Sequence, residues 1–487
     1  MQDLFGPLGA SSSCYRVTPA GGARPEPRVT HSETEVRAKR FVFVIDRYIG
    51  HLNGTLGLAQ RLYEAGNQVT YIVSPSAAHH FRGQPFGVVS FKWLEGTKKQ
   101  RSIADAFFRR GTIADRRNAR LMAIQSDIAL FVERNAPDLI VFDPFLLKYL
   151  PFFDKTGAKC VSVSTKPLLT RSPMTPPYTS TLVPKAGKAG QLRVALAWKR
   201  QELSYFWYCL KESVNHLIFA DNRWLEEAAI EKLAGGKFRR MDRPVRFDMR
   251  YAGVPEIVLQ AREFDFPREP ENLGPAIFVG PCVRQSADTS DISEFVPEGD
   301  GPLVLCSLGT VRRASHAHIV PFYLDVIKAL GNSEYRLVIA AGSAEDVAAI
   351  QMSDHLSYSN VRVHPWIPQQ EILKACSLLI THGGGGSLKE AFAIGVPVLV
   401  YPMRADQPGC GARVKFHGLG ESSSLKRATP RSIRRAVEAI LQNERYKANC
   451  EKLAETYRRY DAERTAVTVL TTLATPMCDH NFDGERI

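Results

Sequence analysis

The feature that most constrains this chain is a recurring alternation of short apolar runs with helical stretches. Phe41-Val-Phe-Val-Ile45 fits a buried strand, a Gly/His/Asn/Gly turn follows from Gly50 to Gly54, and a helix through Leu58, Ala59, Leu62 and Tyr63 closes at Gly66-Asn67. Gln68 to Val73 is the next strand. Parallel strands must be joined by a long crossover, so strand, helix and strand at this spacing predict a parallel sheet covered by helices. The rhythm continues through Val88 to Leu94, a helix near Ala119 to Asn135, Asp138 to Phe142 and Lys159 to Ser164. It restarts with strands expected at Leu303 to Leu308, Arg336 to Ala341, Ser377 to Thr381 and Val396 to Tyr401.

At 487 residues the chain is too long for one ordinary domain. The expected fold class is α/β, with two tandem Rossmann-like doubly wound domains facing a cleft. Residues 1–38, rich in Gly, Ser, Pro and Arg, read as a disordered leader without a signal peptide. The first domain is expected over 39–263, a Pro-rich connection over 264–300 and the second domain over 301–441. Helices over 442–475 and a tail over 476–487 complete the chain.

With 44% apolar and 23% charged residues, wholesale disorder is excluded. The longest uncharged apolar stretches fall short of the ~18 residues of a membrane-spanning helix. Nine cysteines, an odd number with no Cys-x-x-Cys pair, argue against a disulfide framework or zinc cluster and for a reducing, cytoplasmic setting. No metal-ligand cluster is seen. The net charge of +13 suits an anionic partner: nucleic acid, an acidic membrane face or a phosphorylated small molecule.

In open parallel sheets ligands bind beyond the carboxyl ends of the strands, so the turns there are where chemistry is sought. After Leu378 to Ile380 comes Thr381-His-Gly-Gly-Gly-Gly-Ser387, then Leu388-Lys-Glu-Ala. Glycines between a strand and a helix allow close backbone approach, and the helix start favours a phosphate. Ser387 and Glu390 also read as a capping box, but four consecutive glycines exceed what capping needs.

With its flanks, Trp366-Ile-Pro-Gln-Gln-Glu-Ile-Leu373, Glu390-Ala391, Gly395-Val-Pro397, Pro402 and Asp406-Gln407, the segment closely resembles the donor-binding signature of family 1 nucleotide-sugar-dependent glycosyltransferases of the GT-B fold. Asp406-Gln-Pro-Gly-Cys-Gly-Ala-Arg413 is more similar to the bacterial branch, which includes macrolide and carotenoid glucosyltransferases. The resemblance implies these roles. Trp366, with Ile367 beside it, stacks on the uracil, and Gln369 bonds the nucleoside. His382, Ser387 and Thr310 reach the diphosphate, cradled by Gly384, Gly385 and Gly386. Glu390 accepts from the ribose hydroxyls, which needs an acceptor-only group. Asp406 and Gln407 grip the sugar, and Gln in that place is usual for users of UDP-glucose. Gly386 departs from the family's frequent Asn.

Inverting glycosyl transfer needs a base for the acceptor hydroxyl and a group to hold the leaving diphosphate's charge. Gly50-His51 resembles the family's catalytic Gly-His, with departures at Asp46 to Ile49 and at Gly54, where Pro is common. Asp143, ending the strand Asp138 to Phe142, matches the carboxylate that orients such a base. The family requires no cofactor or metal for the chemistry.

Lys98 to Arg120, around Phe107 and Phe108, and Lys185 through Trp198-Lys-Arg200 to Tyr208 mix basic and aromatic residues. Such patches read either as peripheral membrane contact or as solvated faces over an apolar core. Pro176 to Pro184 resembles the acceptor-domain segment of natural-product enzymes. The expected function is transfer of a hexose, glucose from UDP-glucose, to a hydroxyl of a small lipophilic acceptor, with no nucleic-acid partner. The rivals are a UDP-sugar epimerase or hydrolase, and a nucleotide-sugar-binding protein without catalysis.

Overall fold

The structure, a computed structural model, describes residues 37–95, 110–219, 223–235, 250–284, 291–309, 316–352 and 358–475. The expected leader and tail, Thr310 and the Lys98–Arg109 part of the first basic patch lie outside these residues.

The first sheet is built from β1 (Arg40–Val44), β2 (Gln68–Val73), β3 (Gly87–Ser90), β4 (Leu139–Phe142), β5 (Cys160–Ser164), β6 (Glu256–Val258) and β7 (Ala276–Phe278). Its order is β3-β2-β1-β4-β5-β6-β7, with every pair parallel. The second sheet has β8 (Leu303–Ser307), β9 (Arg336–Ala340), β10 (Val361–His364), β11 (Leu378–Thr381), β12 (Val398–Val400) and β13 (Gly420–Ser422). It runs β10-β9-β8-β11-β12-β13, again all parallel. Central strands are buried on both faces, which is why β4 and β11 read as unbroken apolar runs rather than alternations.

Helices α1 (Ile49–Glu64), α2 (Arg110–Asn135), α3 (Leu150–Asp154), α4 (Lys188–Phe219) and α5 (Arg223–Ala234) belong to the first half. The second half has α6 (His316–Leu330), α7 (Ala344–Gln351), α8 (Gln369–Ala375), α9 (Gly385–Ile394), α10 (Gln407–Phe416) and α11 (Pro430–Leu441), followed by α12 (Glu444–Ala462) and α13 (Thr465–Ala474). Arg464, in the left-handed region at φ 52, makes the corner between the last two. Cys450, Leu453 and Tyr457 of α12 pack in a core of the second domain, whereas Ala466, Leu470 and Ala474 of α13 pack in a core of the first.

Two strand expectations differ from the structure. The segment 264–300 contributes Ala276–Phe278 as the edge strand of the first sheet, so only part of it connects the domains. Its three residues among prolines and charges carry no readable period. The expected strand Val88 to Leu94 ends at Ser90, and Lys92–Glu95 forms a 3-10 turn instead.

A buried ionic cluster joins the halves. Asp265 accepts from Arg268 at 2.7 Å and from Arg413 of α10 at 2.6 Å, and Arg268 also donates to the carbonyls of Leu168 and Thr170. Charges taken this far from water are tolerated only when paired and hydrogen-bonded. Nearby, the Gly409 amide donates to the Tyr178 carbonyl at 2.6 Å, so close that any β-carbon at 409 would overlap it. The Pro176–Pro184 segment is thereby fixed against the first turn of α10.

Candidate active site

In both sheets the strand order reverses at one place, between β1 and β4 and between β8 and β11. Such switch points leave a crevice beyond the strand ends. Here the two crevices open into one cleft of about 1160 Å³ lined from both domains. That volume slightly exceeds the ~300–1,000 Å³ usual for a single small ligand and suits two.

On the first domain's side, His51 lies in the first turn of α1, rather than in the turn before it, and lines the cleft. Its Nδ1 is 2.6 Å from Oδ2 of Asp143, which follows β4. Asp143, 2% exposed, also accepts from the Phe145 amide at 2.8 Å and the Asp46 amide at 3.3 Å. Burial by itself would lower the His51 pKa, but the charge and hydrogen bond of Asp143, with help from Asp46, raise it despite the opposing charge of Lys166. Burial pushes the Asp143 carboxyl up, yet His51, the Phe145 amide and Lys166 hold it below its usual value. The Phe145 ring lies 4.6 Å from the imidazole and carries the Lys166 ammonium 4.3 Å from its centroid.

On the second domain's side, α9 begins at Gly385 with Gly384 as its N-cap and points its free amides into the cleft wall. Ser387 is therefore inside the helix, and the alternative capping box is not formed. Glu390 instead accepts from Gln369 at 2.5 Å and Gln370 at 3.1 Å, and burial raises its pKa against those two bonds. Trp366 is 68% exposed at the cleft, which excludes a core tryptophan and leaves an indole face open.

His382, after β11, sits between two glycine backbones. A β-carbon on Gly309 would come 2.6 Å from its ring and one on Gly384 would come 2.5 Å. Gly309 also has φ +77, so its type is doubly required. Loss of solvent first, and the Arg404 charge second, push the His382 pKa down to about 4, although the Ser307 carbonyl takes a hydrogen bond from the ring. The shift favours the uncharged ring, whose Nδ1 lies 3.4 Å from the Thr381 hydroxyl.

Asp406 precedes α10 and lines the cleft, while Gln407 places its Oε1 on the Met403 and Arg404 amides at 2.8 and 2.9 Å. Only the Nε2 of Gln407 remains for a ligand. His51, Trp366, Ile367, Gln369, His382, Gly384, Gly385, Gly386, Ser387, Glu390, Asp406 and Gln407 thus share one cleft, with Asp143 behind His51.

Sequence reasoning did not single out Lys166, Gln370, Lys389 or Arg404, all of which line the cleft. Lys389, on α9 and 4% exposed, is pushed down to about 8 by burial. Lys166 follows β5, so the rule that directs attention to strand ends could have found it. For Lys389 the sequence carries no signal beyond a charge on an apolar helix.

Residues 325–465 match the protein family described as erythromycin biosynthesis protein CIII-like, C-terminal domain. Over 358 residues the chain is 24% identical to 4'-demethylrebeccamycin synthase of Lentzea aerocolonigenes, covering 72% of this chain and 76% of that protein. It is 23% identical over 430 residues to NDP-glycosyltransferase YjiC of Bacillus subtilis (strain 168), covering 86% and 94%. Among solved structures, the glycotransferase of kitacinnamycin superposes with a TM-score of 0.62 at 20% identity, covering 90% of this chain and 100% of that one. The shared fold is the two-domain GT-B arrangement.

Proposed function

We propose that this GT-B glycosyltransferase moves a hexose from a nucleotide diphosphate sugar, UDP-glucose, to a hydroxyl of a small lipophilic acceptor with inversion at the anomeric carbon. The observation that carries the reading is the opposition, across one cleft, of a carboxylate-bound imidazole and a glycine-lined helix start. In this mechanism the acceptor hydroxyl gives its proton to Nε2 of His51 while its oxygen attacks the anomeric carbon. The bond from that carbon to the diphosphate breaks, and the departing negative charge meets the amides of α9, Ser387 and His382. Asp143 holds the imidazole through Nδ1 and stabilises the imidazolium that forms, without itself taking the proton.

The donor lies along the second domain in this reading. Trp366 offers its exposed face to the base, and Glu390, steadied by two glutamine amides, accepts from the ribose. Asp406 and the remaining amide of Gln407 face the sugar. The acceptor half is walled by Tyr48, Ile49, Trp93, Leu94, Phe145 and Leu146, which favours an apolar ligand. An inactive sugar-binding protein would have no use for the His51–Asp143 pair. Incubating the enzyme with UDP- and dTDP-sugars and a mixed acceptor library, with products read by mass spectrometry, tests the assignment. A hexosylated lipophilic alcohol or phenol is expected. Release of free sugar alone, or a changed nucleotide sugar without acceptor consumption, would replace transfer with hydrolysis or epimerisation.

A further inference from the structure

Helix α4 is apolar on two sides, and among the described residues only one of them is packed. Val194 and Trp198 are buried, the latter donating its indole N–H to the Thr175 carbonyl at 2.8 Å, so this face packs on the loop after β5. The opposite face presents Leu192, Leu196, Leu203, Trp207, Leu210 and Val214, three, four or seven residues apart, with Phe206 beside them. At 3.6 residues per turn they form one continuous stripe. Leu192, Leu196, Leu203, Phe206 and Trp207 are 56–61% exposed, far more than a scatter of single apolar residues explains.

The borders of the stripe decide what fits it. Arg193, Arg200 and Lys211 fall along one edge and are exposed, and Lys199 lies within the stripe with its side chain 74% exposed. The carboxylates of the same stretch sit on the half-buried side, where Glu202 pairs with Arg171 at 2.6 Å and Lys199 at 3.0 Å. An exposed apolar stripe with a cationic edge, bearing Trp and Phe, matches the physics of a helix lying in a membrane interface. A second copy of the chain would bring the same cationic edge against itself. The chain's net charge of +13 favours an anionic surface for the same reason.

We propose that the outer face of α4 docks the enzyme on anionic lipid bilayers, lying flat with Leu203, Phe206 and Trp207 in the headgroup boundary. The docking does not depend on the reaction. Its use does rest on the proposed function, because α4 is tied through Thr175 and Tyr178 to the loop that begins with Lys166 in the cleft, where a lipophilic acceptor would bind.

The full chain should float with vesicles of phosphatidylcholine containing one part in three of phosphatidylserine. It should not float with phosphatidylcholine alone, and high salt should release it. Leu203→Asp with Trp207→Asp, and separately Arg193→Glu with Arg200→Glu and Lys211→Glu, should each lower the bound fraction on the order of tenfold or more. Both variants should keep wild-type circular dichroism and UDP affinity. Failure of the wild type to bind anionic vesicles, or undiminished binding by the folded variants, would overturn the proposal. So would a wild-type dimer in solution that the Leu203/Trp207 variant splits, since the face would then be an interface between copies. Calorimetry of wild type with UDP stands apart: no heat there would sink the donor assignment and leave vesicle binding to be judged on its own.

Discussion

In the first domain the histidine beyond the switch point is bound to a buried carboxylate; in the second it is wedged between two glycines with an arginine nearby. The strand orders match over six strands, and the two histidines flank the switch point from opposite sides, one after β1 and the other after β11, the counterpart of β4. Their protonation is pushed in opposite directions, up for His51 and down to about 4 for His382. Topology supplies a crevice, and the neighbours of one ring decide whether it holds a proton. In the proposed reaction the first ring receives a proton from a neutral hydroxyl, and the second faces the departing anion.

The comparison is broken most sharply by removing the first ring. His51→Ala should lower transfer by ~10²–10⁴, the usual worth of a positioned base, and leave UDP affinity unchanged in calorimetry. Undiminished turnover would take His51 out of the mechanism. Asp143→Asn should give a smaller loss, since the imidazole remains but is less well oriented and less basic. Added to His51→Ala it should cost little more, because the two act as a unit. Multiplying losses would show that they do not.

On the donor side His382→Ala should cost about 1.5–3 kcal/mol in UDP affinity, the scale of a hydrogen bond to a charged group, and lower turnover as well. If the N–H of the neutral ring stays on the Ser307 carbonyl, donating to a diphosphate requires a second proton. UDP binding should therefore take up a proton in the wild type and strengthen as pH falls. Calorimetry in two buffers of different ionisation enthalpy reads that uptake, and His382→Ala should abolish it. Equal apparent enthalpies in the wild type would mean that the ring binds as a neutral group.

Trp366→Ala should weaken UDP by about 1–3 kcal/mol, by analogy with base stacking on aromatic platforms. Asp406→Ala should weaken only the sugar-bearing ligand. Equal loss of free UDP in the Asp406 variant would place the sugar at the other end of the cleft.

How far these two sites can be read before folding follows from the reach of each signal. The apolar runs of β1, β4, β8 and β11 are visible because strands covered on both faces need no alternation. Glu256–Val258, Val361–His364 and Gly420–Ser422 are too short or too mixed to stand out, and they form outer strands. The glycines around His382 are legible as a phosphate turn, but their second task, making room for the ring, depends on Gly309 arriving from β8. Whether Ser387 and Glu390 form a capping box or leave Glu390 to bond elsewhere depends on whether the N-cap of α9 is Ser387 or Gly384, a matter of three residues that periodicity does not resolve. The patch from Lys185 to Tyr208 on α4 is legible as basic and aromatic, but which of its faces is covered is not: apolar residues at helical spacing read the same whether or not anything packs on them.

The smallest expected effect concerns Lys166, which the sequence did not mark. The groups that act on the His51 charge are Asp143 and Asp46, which raise its pKa, and Lys166, which lowers it. Transfer needs the imidazole uncharged, so activity should rise with pH through the His51 pKa, which lies above that of an ordinary histidine. Replacing Lys166 by Met removes an opposing charge and should move that limb upward. Near neutral pH the variant would then be slower than wild type, and at high pH it should recover, apart from any contact Lys166 makes with the acceptor. Asp143→Asn, which removes the larger raising influence, should move the limb downward. Measuring kcat/KM against pH for the three enzymes orders them as Asp143→Asn, wild type and Lys166→Met from low to high. A limb that stays fixed in both variants would belong to another group, and the contrast between the two histidines would no longer describe the chemistry.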